Sequence, residues 1–134
     1  MSLLKKVQAG IHIFVGLGAI FGGAAAIYDP TGNLVGIDAN VALRHGPFDD
    51  FLIPGLFLFV IIGLGNLFAA WTGMKNSKMF PLLSFFQGGI LALWIVIQCI
   101  ILASINQLHV IFFIVGAAMI ALAVRGYLTD NIDV

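Results

Sequence analysis

Three long stretches of the chain carry no Asp, Lys or Arg: residues 7–28, 51–74 and 79–124. About 20 residues rising 1.5 Å each match the ~30 Å hydrocarbon layer of a bilayer, so the first two stretches each fit one crossing helix. The third, 46 residues long, is too long for one crossing and right for two joined by a tight turn. The pattern therefore predicts four helical spans, Leu4–Ile27, Phe51–Gly73, Phe80–Ser104 and Leu108–Leu128. Helices are required because a lipid-exposed backbone must satisfy its own polar groups.

The spans are not uniformly apolar, and their polar residues fall on stripes. Gln87, Leu91, Trp94 and Gln98 recur at i, i+4, i+7 and i+11, within about 40° of one line down a helix. Gly55, Phe59, Ile62, Asn66, Ala70 and Gly73 form a stripe on the second span. On the first, the line through His12 also passes Gln8, Val15, Ala19 and Ala26. An unpaired amide in hydrocarbon costs a few kcal/mol, so these stripes should face neighbouring helices. The first span also holds Gly18-x-x-x-Gly22 and Ala19-x-x-x-Gly23, pairs that admit a second backbone closely. Packing within the chain is the expected use, with a dimer seam as the alternative.

Punctuation separates the spans. Asp29-Pro30-Thr31-Gly32 is a turn signature, with Pro30 fixing φ and Gly32 supplying positive φ. Residues 28–50 form the one sizeable loop, holding the apolar islands 34–37 and 41–43. Asp49 and Asp50 precede the second span as N-cap candidates, and Pro54 and Pro81 suit first helical turns. Ser104 to Gln107 is a hairpin turn, and Thr129–Val134 reads as a frayed tail.

Composition agrees with this reading. Charged residues make up 9% of the 134, against about 25% in soluble domains. With the N-terminus inside, Lys5, Lys6, Lys75, Lys78 and Arg125 are cytoplasmic, five of the six basic residues. The outer loop then holds Arg44 against Asp29, Asp38, Asp49 and Asp50, in keeping with the positive-inside rule. Zero net charge and no basic patch argue against nucleic acid. The lysines before an apolar run resemble a secretory signal, but that run is too long for a signal core, so the first span is read as retained. The single Cys99 excludes an internal disulfide.

Depth narrows the candidate chemistry to two layers. His12 lies six residues past Lys6, Asn66 nine before Lys75 and Gln87 nine after Lys78. At 1.5 Å per residue all three sit roughly 9–14 Å inside the cytoplasmic boundary, which predicts a buried polar layer of His12, Asn66 and Gln87. Fixing helix register is its plainest role, and a ligand or proton site is the sharper one. Toward the outer side, Trp94 and Gln98 lie beneath Arg44, His45, Asp49 and Asp50, which predicts a small-ligand cleft under the outer loop. The plainer alternative is a surface ion pair of Arg44 with Asp49 or Asp50.

Other chemistries lack their residues. His12 is inner and His109 outer, so the two do not suit one haem. The pattern offers no metal-ligand cluster and no cofactor site, and the spans contain no carboxylate for proton-coupled antiport. Ser84 and Ser104 show no base and acid set around them, so the reading leans away from an enzyme, with His12 the one candidate general base.

Tyr28-Asp29-Pro30-Thr31-Gly32, Pro47-Phe48-Asp49-Asp50-Phe51-Leu52-Ile53-Pro54-Gly55 and Trp94-Ile95-Val96-Ile97-Gln98 together resemble a group of small bacterial four-span proteins. That group has a D-P-x-G outer turn, a D-[FY]-L-I-P-G helix start and a W-x-x-x-Q third helix. In outline the chain is also similar to DoxX-like four-helix proteins, some of which accompany quinone-linked oxidoreductases. The resemblance implies a bacterial inner-membrane location and a site near the outer ends of spans two and three. It carries no catalytic residues.

The expectation is one all-α domain over residues 1–134: an integral-membrane antiparallel four-helix bundle with both termini inside. The leading function is binding or accessory: holding a lipid, quinone or small amphiphile, or a partner membrane protein on a glycine face. A small oligomeric transporter or pore is the alternative. Binding predicts a closed apolar cleft near Trp94 and Gln98, whereas transport predicts a continuous polar path between the layers.

Overall fold

Four apolar runs of membrane length can bury their few polar side chains only against one another, and the chain does so as an antiparallel bundle. The computed structural model describes residues 3–33, 40, 43, 47–75, 77–102, 105 and 107–132, without the side chains of 108 and 129–132. Helix α1 spans Leu3–Tyr28, α2 Leu52–Met74, α3 Phe80–Leu102 and α4 Gln107–Ile132. Each has a stretch long and apolar enough to cross a membrane, so the chain is a multi-pass membrane protein. The tail expected to fray continues α4 as far as Ile132. Ser104 lies outside the described residues, and α3 is described to Leu102.

Helix ends follow the local chemistry. Pro30 disfavours helix at the residue before it, and α1 stops with Asp29 N–H donating to Ala25 O at 3.0 Å. Thr31 N–H and Oγ1 both donate to Asp29 Oδ1, and Gly32 takes the left-handed φ of 82° that the turn requires. Phe51 N–H donates to Pro30 O at 2.9 Å, tying the two ends of the outer loop together. The N-cap of α2 is Phe51 rather than Asp49 or Asp50, and Asp50, one residue before it, accepts Leu52 N–H on Oδ1 at 3.0 Å.

Glycine sets how closely the helices pack. A Cβ built on Gly23 would lie 2.7 Å from Phe59 N and 2.8 Å from Gly55 O, so α1 and α2 approach backbone to backbone. Gly88 and Gly116 do the same between α3 and α4, where a Cβ on Gly88 would lie 2.9 Å from Gly116 O. The two small-xxx-small pairs on α1 part company. Ala19 and Gly23 are buried, whereas Gly18 and Gly22 are exposed. Packing within the chain therefore uses only one of the two.

One feature of α2 is absent from the sequence reading. Over Leu58–Leu64 the helix widens to π geometry, with Gly65 N–H reaching back to Val60 O. Such wide turns are rare and concentrate at functional sites. This one ends at Leu64, two residues before Asn66, whose side chain enters the bundle core.

Candidate functional site

His12, Asn66 and Ser84 are each 0% exposed, and they form one hydrogen-bonded unit at the junction of α1, α2 and α3. Asn66 Nδ2 donates to Ile62 O at 2.7 Å and to Gln87 Oε1 at 3.1 Å. Its Oδ1 is thereby assigned as the acceptor facing His12, and His12 Nδ1–H donates to it at 2.7 Å. In the neutral ring Nε2 is then an acceptor, and Ser84 O–H donates to it at 2.7 Å. The ring of Phe80 closes over the imidazole edge-on, with centroids 5.9 Å apart. The structure thus brings His12, Asn66 and Gln87 together, as depth and stripe predict.

Ser84 corrects the sequence reading, which found no base beside it. The serine sits six residues past Lys78, at the same ~9 Å depth as His12, and three before Gln87 on the same helix face. That coincidence was available in the sequence. Serine, imidazole and amide stand in the order of a nucleophile, a base and its orienting group. All three are fully enclosed, however, so no acyl carbonyl can approach Ser84 Oγ in this conformation. The geometry supports a register-fixing network.

One turn toward the N-terminal end of α1, Gln8 is 3% exposed and its Nε2 has no hydrogen-bond partner. Its amide packs near Gly126 of α4, with 3.7 Å to a Cβ built there.

Above the polar layer the core turns apolar: Val15, Ala19, Ile62, Leu91 and Met119 pack into one buried cluster with Trp94 and Ile95. Beyond it opens a cavity of about 480 Å³, within the size range of small-molecule sites. All four helices contribute walls, among them Gly18 and Gly22, Leu58, Trp94 and Gln98, and Phe112. Leu43 of the outer loop, 4% exposed, lies over it together with Phe51 and Pro54. Trp94 is 7% exposed and stacks on Phe57 with centroids 4.6 Å apart, but its Nε1–H is buried without a hydrogen-bond partner. A buried donor left unpaired costs about 1–3 kcal/mol. A larger groove of about 730 Å³ lies between α3 and α4, rimmed by exposed Val96, Ile100, Val110 and Ile114.

Of the residues expected around the outer cleft, Trp94 and half-buried Gln98 line the cavity. Asp49 and Asp50 do not: both are exposed, and Asp50 is engaged with Leu52 N–H. Hydration keeps these carboxylates at the surface, since nothing in an apolar cavity would replace their water. Arg44 and His45 lie outside the described residues. Leu43, His109, Gly18 and Gly22 also line the cavity, none of them expected there from the sequence. Among the described residues no group of three metal-ligating side chains converges.

No family model, curated protein or solved structure matches the chain.

Proposed function

We propose that this is a binding protein of the bilayer. It holds an amphiphile of the lipid or quinone class in the outer cavity, with the apolar body against Leu58, Leu91 and Phe112 and a carbonyl accepting the Trp94 indole N–H. The observation that carries this reading is a 480 Å³ cavity walled in part by Trp94, whose indole Nε1–H is buried without a hydrogen-bond partner. A carbonyl oxygen would restore the missing hydrogen bond, and Gln98 supplies a second polar group on the same helix. The lysine distribution orients both termini toward the cytoplasm. The resemblance to small bacterial four-span proteins adds the inner membrane as the location. Accessory service to a partner membrane protein is compatible with such a role.

A pore or transporter needs polar groups continuous from one layer to the other. Val15, Ile62, Leu91 and Met119, each no more than 3% exposed, occupy that interval, which favours binding over conduction.

The test is unbiased mass spectrometry of the organic extract from protein purified in mild detergent. Wild-type protein is expected to carry a bilayer amphiphile near one per chain, and Trp94→Phe to lose most of it while keeping its helical circular dichroism. Equal recovery from both proteins, or only bulk lipid in bulk proportions, counts against the reading.

A further inference from the structure

We infer that the outer cavity opens sideways into the bilayer, through a glycine-walled portal between α1 and α4, and takes its occupant from the outer leaflet rather than from water. This rests on the binding role proposed above and specifies the ligand as a molecule already dissolved among acyl chains.

Every described wall residue of the cavity is buried or half-buried except Gly18 and Gly22, which are exposed. A residue that both lines a cavity and lies open to the outside marks its mouth. The two glycines sit on the α4 side of α1. Ile20 and Gly23 face α2, where they meet Gly63 and Phe59, whereas Phe14 on the opposite side stacks on Phe112 of α4 with centroids 6.4 Å apart. Gly18 is four residues beyond Phe14 and Gly22 eight, so both continue that edge toward the outer end, as helical spacing requires. The Phe14–Phe112 pair forms the sill of the opening.

What fills the gap is also visible. A Cβ built on Gly18 meets nothing within 4 Å, and one on Gly22 meets only the end of the Leu58 side chain at 3.3 Å. These glycines hold no helix close. They leave space, in contrast to Gly23 one residue further on. Their depth places the space inside the hydrocarbon: Gly22 lies six residues and Gly18 ten residues before the end of α1 at Tyr28, roughly 9 and 15 Å below it. On the aqueous side the cavity is covered by buried Leu43 with half-buried Phe51 and Pro54. Trp94, whose Nε1–H is buried without a partner, forms part of its wall. A wall that is apolar, closed toward water and open toward acyl chains suits a bilayer-soluble ligand.

The probe is a nanodisc of brominated phosphatidylcholine, whose acyl-chain bromines quench tryptophan on contact. Protein carrying Trp71→Phe, so that Trp94 alone emits, is stripped of bound lipid by detergent exchange and reconstituted. Strong quenching of Trp94 is expected, and Gly18→Phe, which plugs the portal, should at least halve it. Gly10→Phe, on the same helix and likewise facing open space, should leave it unchanged and controls for folding. Aqueous iodide should quench Trp94 far less than the brominated chains do. Equal quenching in Gly18→Phe and Gly10→Phe, or iodide quenching that matches bromine quenching, overturns the portal. Because the amphiphile recovered by mass spectrometry is a separate readout, the portal can fall while the binding role stands, and the reverse.

Discussion

Replacing His12 by alanine should destabilise the bundle by about 2–4 kcal/mol, the largest loss expected from any single truncation in the chain. His12 is bonded to both α2 and α3: Nδ1–H to Asn66 Oδ1 and Nε2 to Ser84 Oγ, each at 2.7 Å. Its removal leaves an amide oxygen and a hydroxyl unpaired where neither water nor lipid reaches, since both residues are 0% exposed. It also leaves a void beneath Phe80. Ser84→Ala is milder, because the methyl nearly fills the same space and a single bond is lost, worth about 0.6 kcal/mol in membrane proteins. The difference between the two variants shows in unfolding titrations with sodium dodecyl sulfate in mixed micelles, followed by circular dichroism. Matching small losses in both would mean that the polar layer does not hold the helices together.

Two glycine substitutions on one helix should have opposite signs. At Gly23 the added methyl of alanine would meet backbone, Phe59 N at 2.7 Å and Gly55 O at 2.8 Å. A side chain can rotate away but a backbone cannot, so α1 and α2 must separate, at about 1–3 kcal/mol. At Gly10 the same methyl meets nothing within 4 Å. There the lower chain entropy of alanine should add about 0.5–1 kcal/mol of stability. Thermal or detergent unfolding of the pair gives the signs directly. A Gly23→Ala protein as stable as Gly10→Ala would show that the α1–α2 contact is looser than described.

The spans were legible because backbone burial in lipid leaves one solution, and uncharged runs of the right length announce it. Depth counted from the flanking lysines was enough to bring His12, Asn66 and Gln87 to one level. Ser84 was read as lacking a base because a hydroxyl in an apolar run reads as filler, and its partner lies 72 residues away in sequence. The π turn over Leu58–Leu64 has no side-chain signature. It coincides with tight local packing, Gly63 on Ile20 and Gly65 on the Gln87 amide, which only the assembled bundle reveals. At the outer side, charge was misleading. Asp49 and Asp50 attract attention in so apolar a chain, yet their free energy of hydration holds them at the surface, and the cavity is built from Trp94, Gln98 and apolar residues instead. Gly18 and Gly22 were legible as a small-residue pair, but not as an opening, since the same spacing serves close packing at Ala19 and Gly23.

The indole N–H resonance of Trp94 reports directly whether a bound ligand accepts this proton. In protein labelled with ¹⁵N on the indole nitrogen, one crosspeak comes from Trp71, half exposed near the C-terminal end of α2, and one from Trp94. Between protein isolated with its native lipid and the same protein stripped by detergent exchange, the Trp94 crosspeak should move to the position of a free donor on stripping, with Trp71 unmoved. A Trp94 crosspeak that stays in place under both conditions would mean that nothing accepts this proton, and the cavity would lose its ligand.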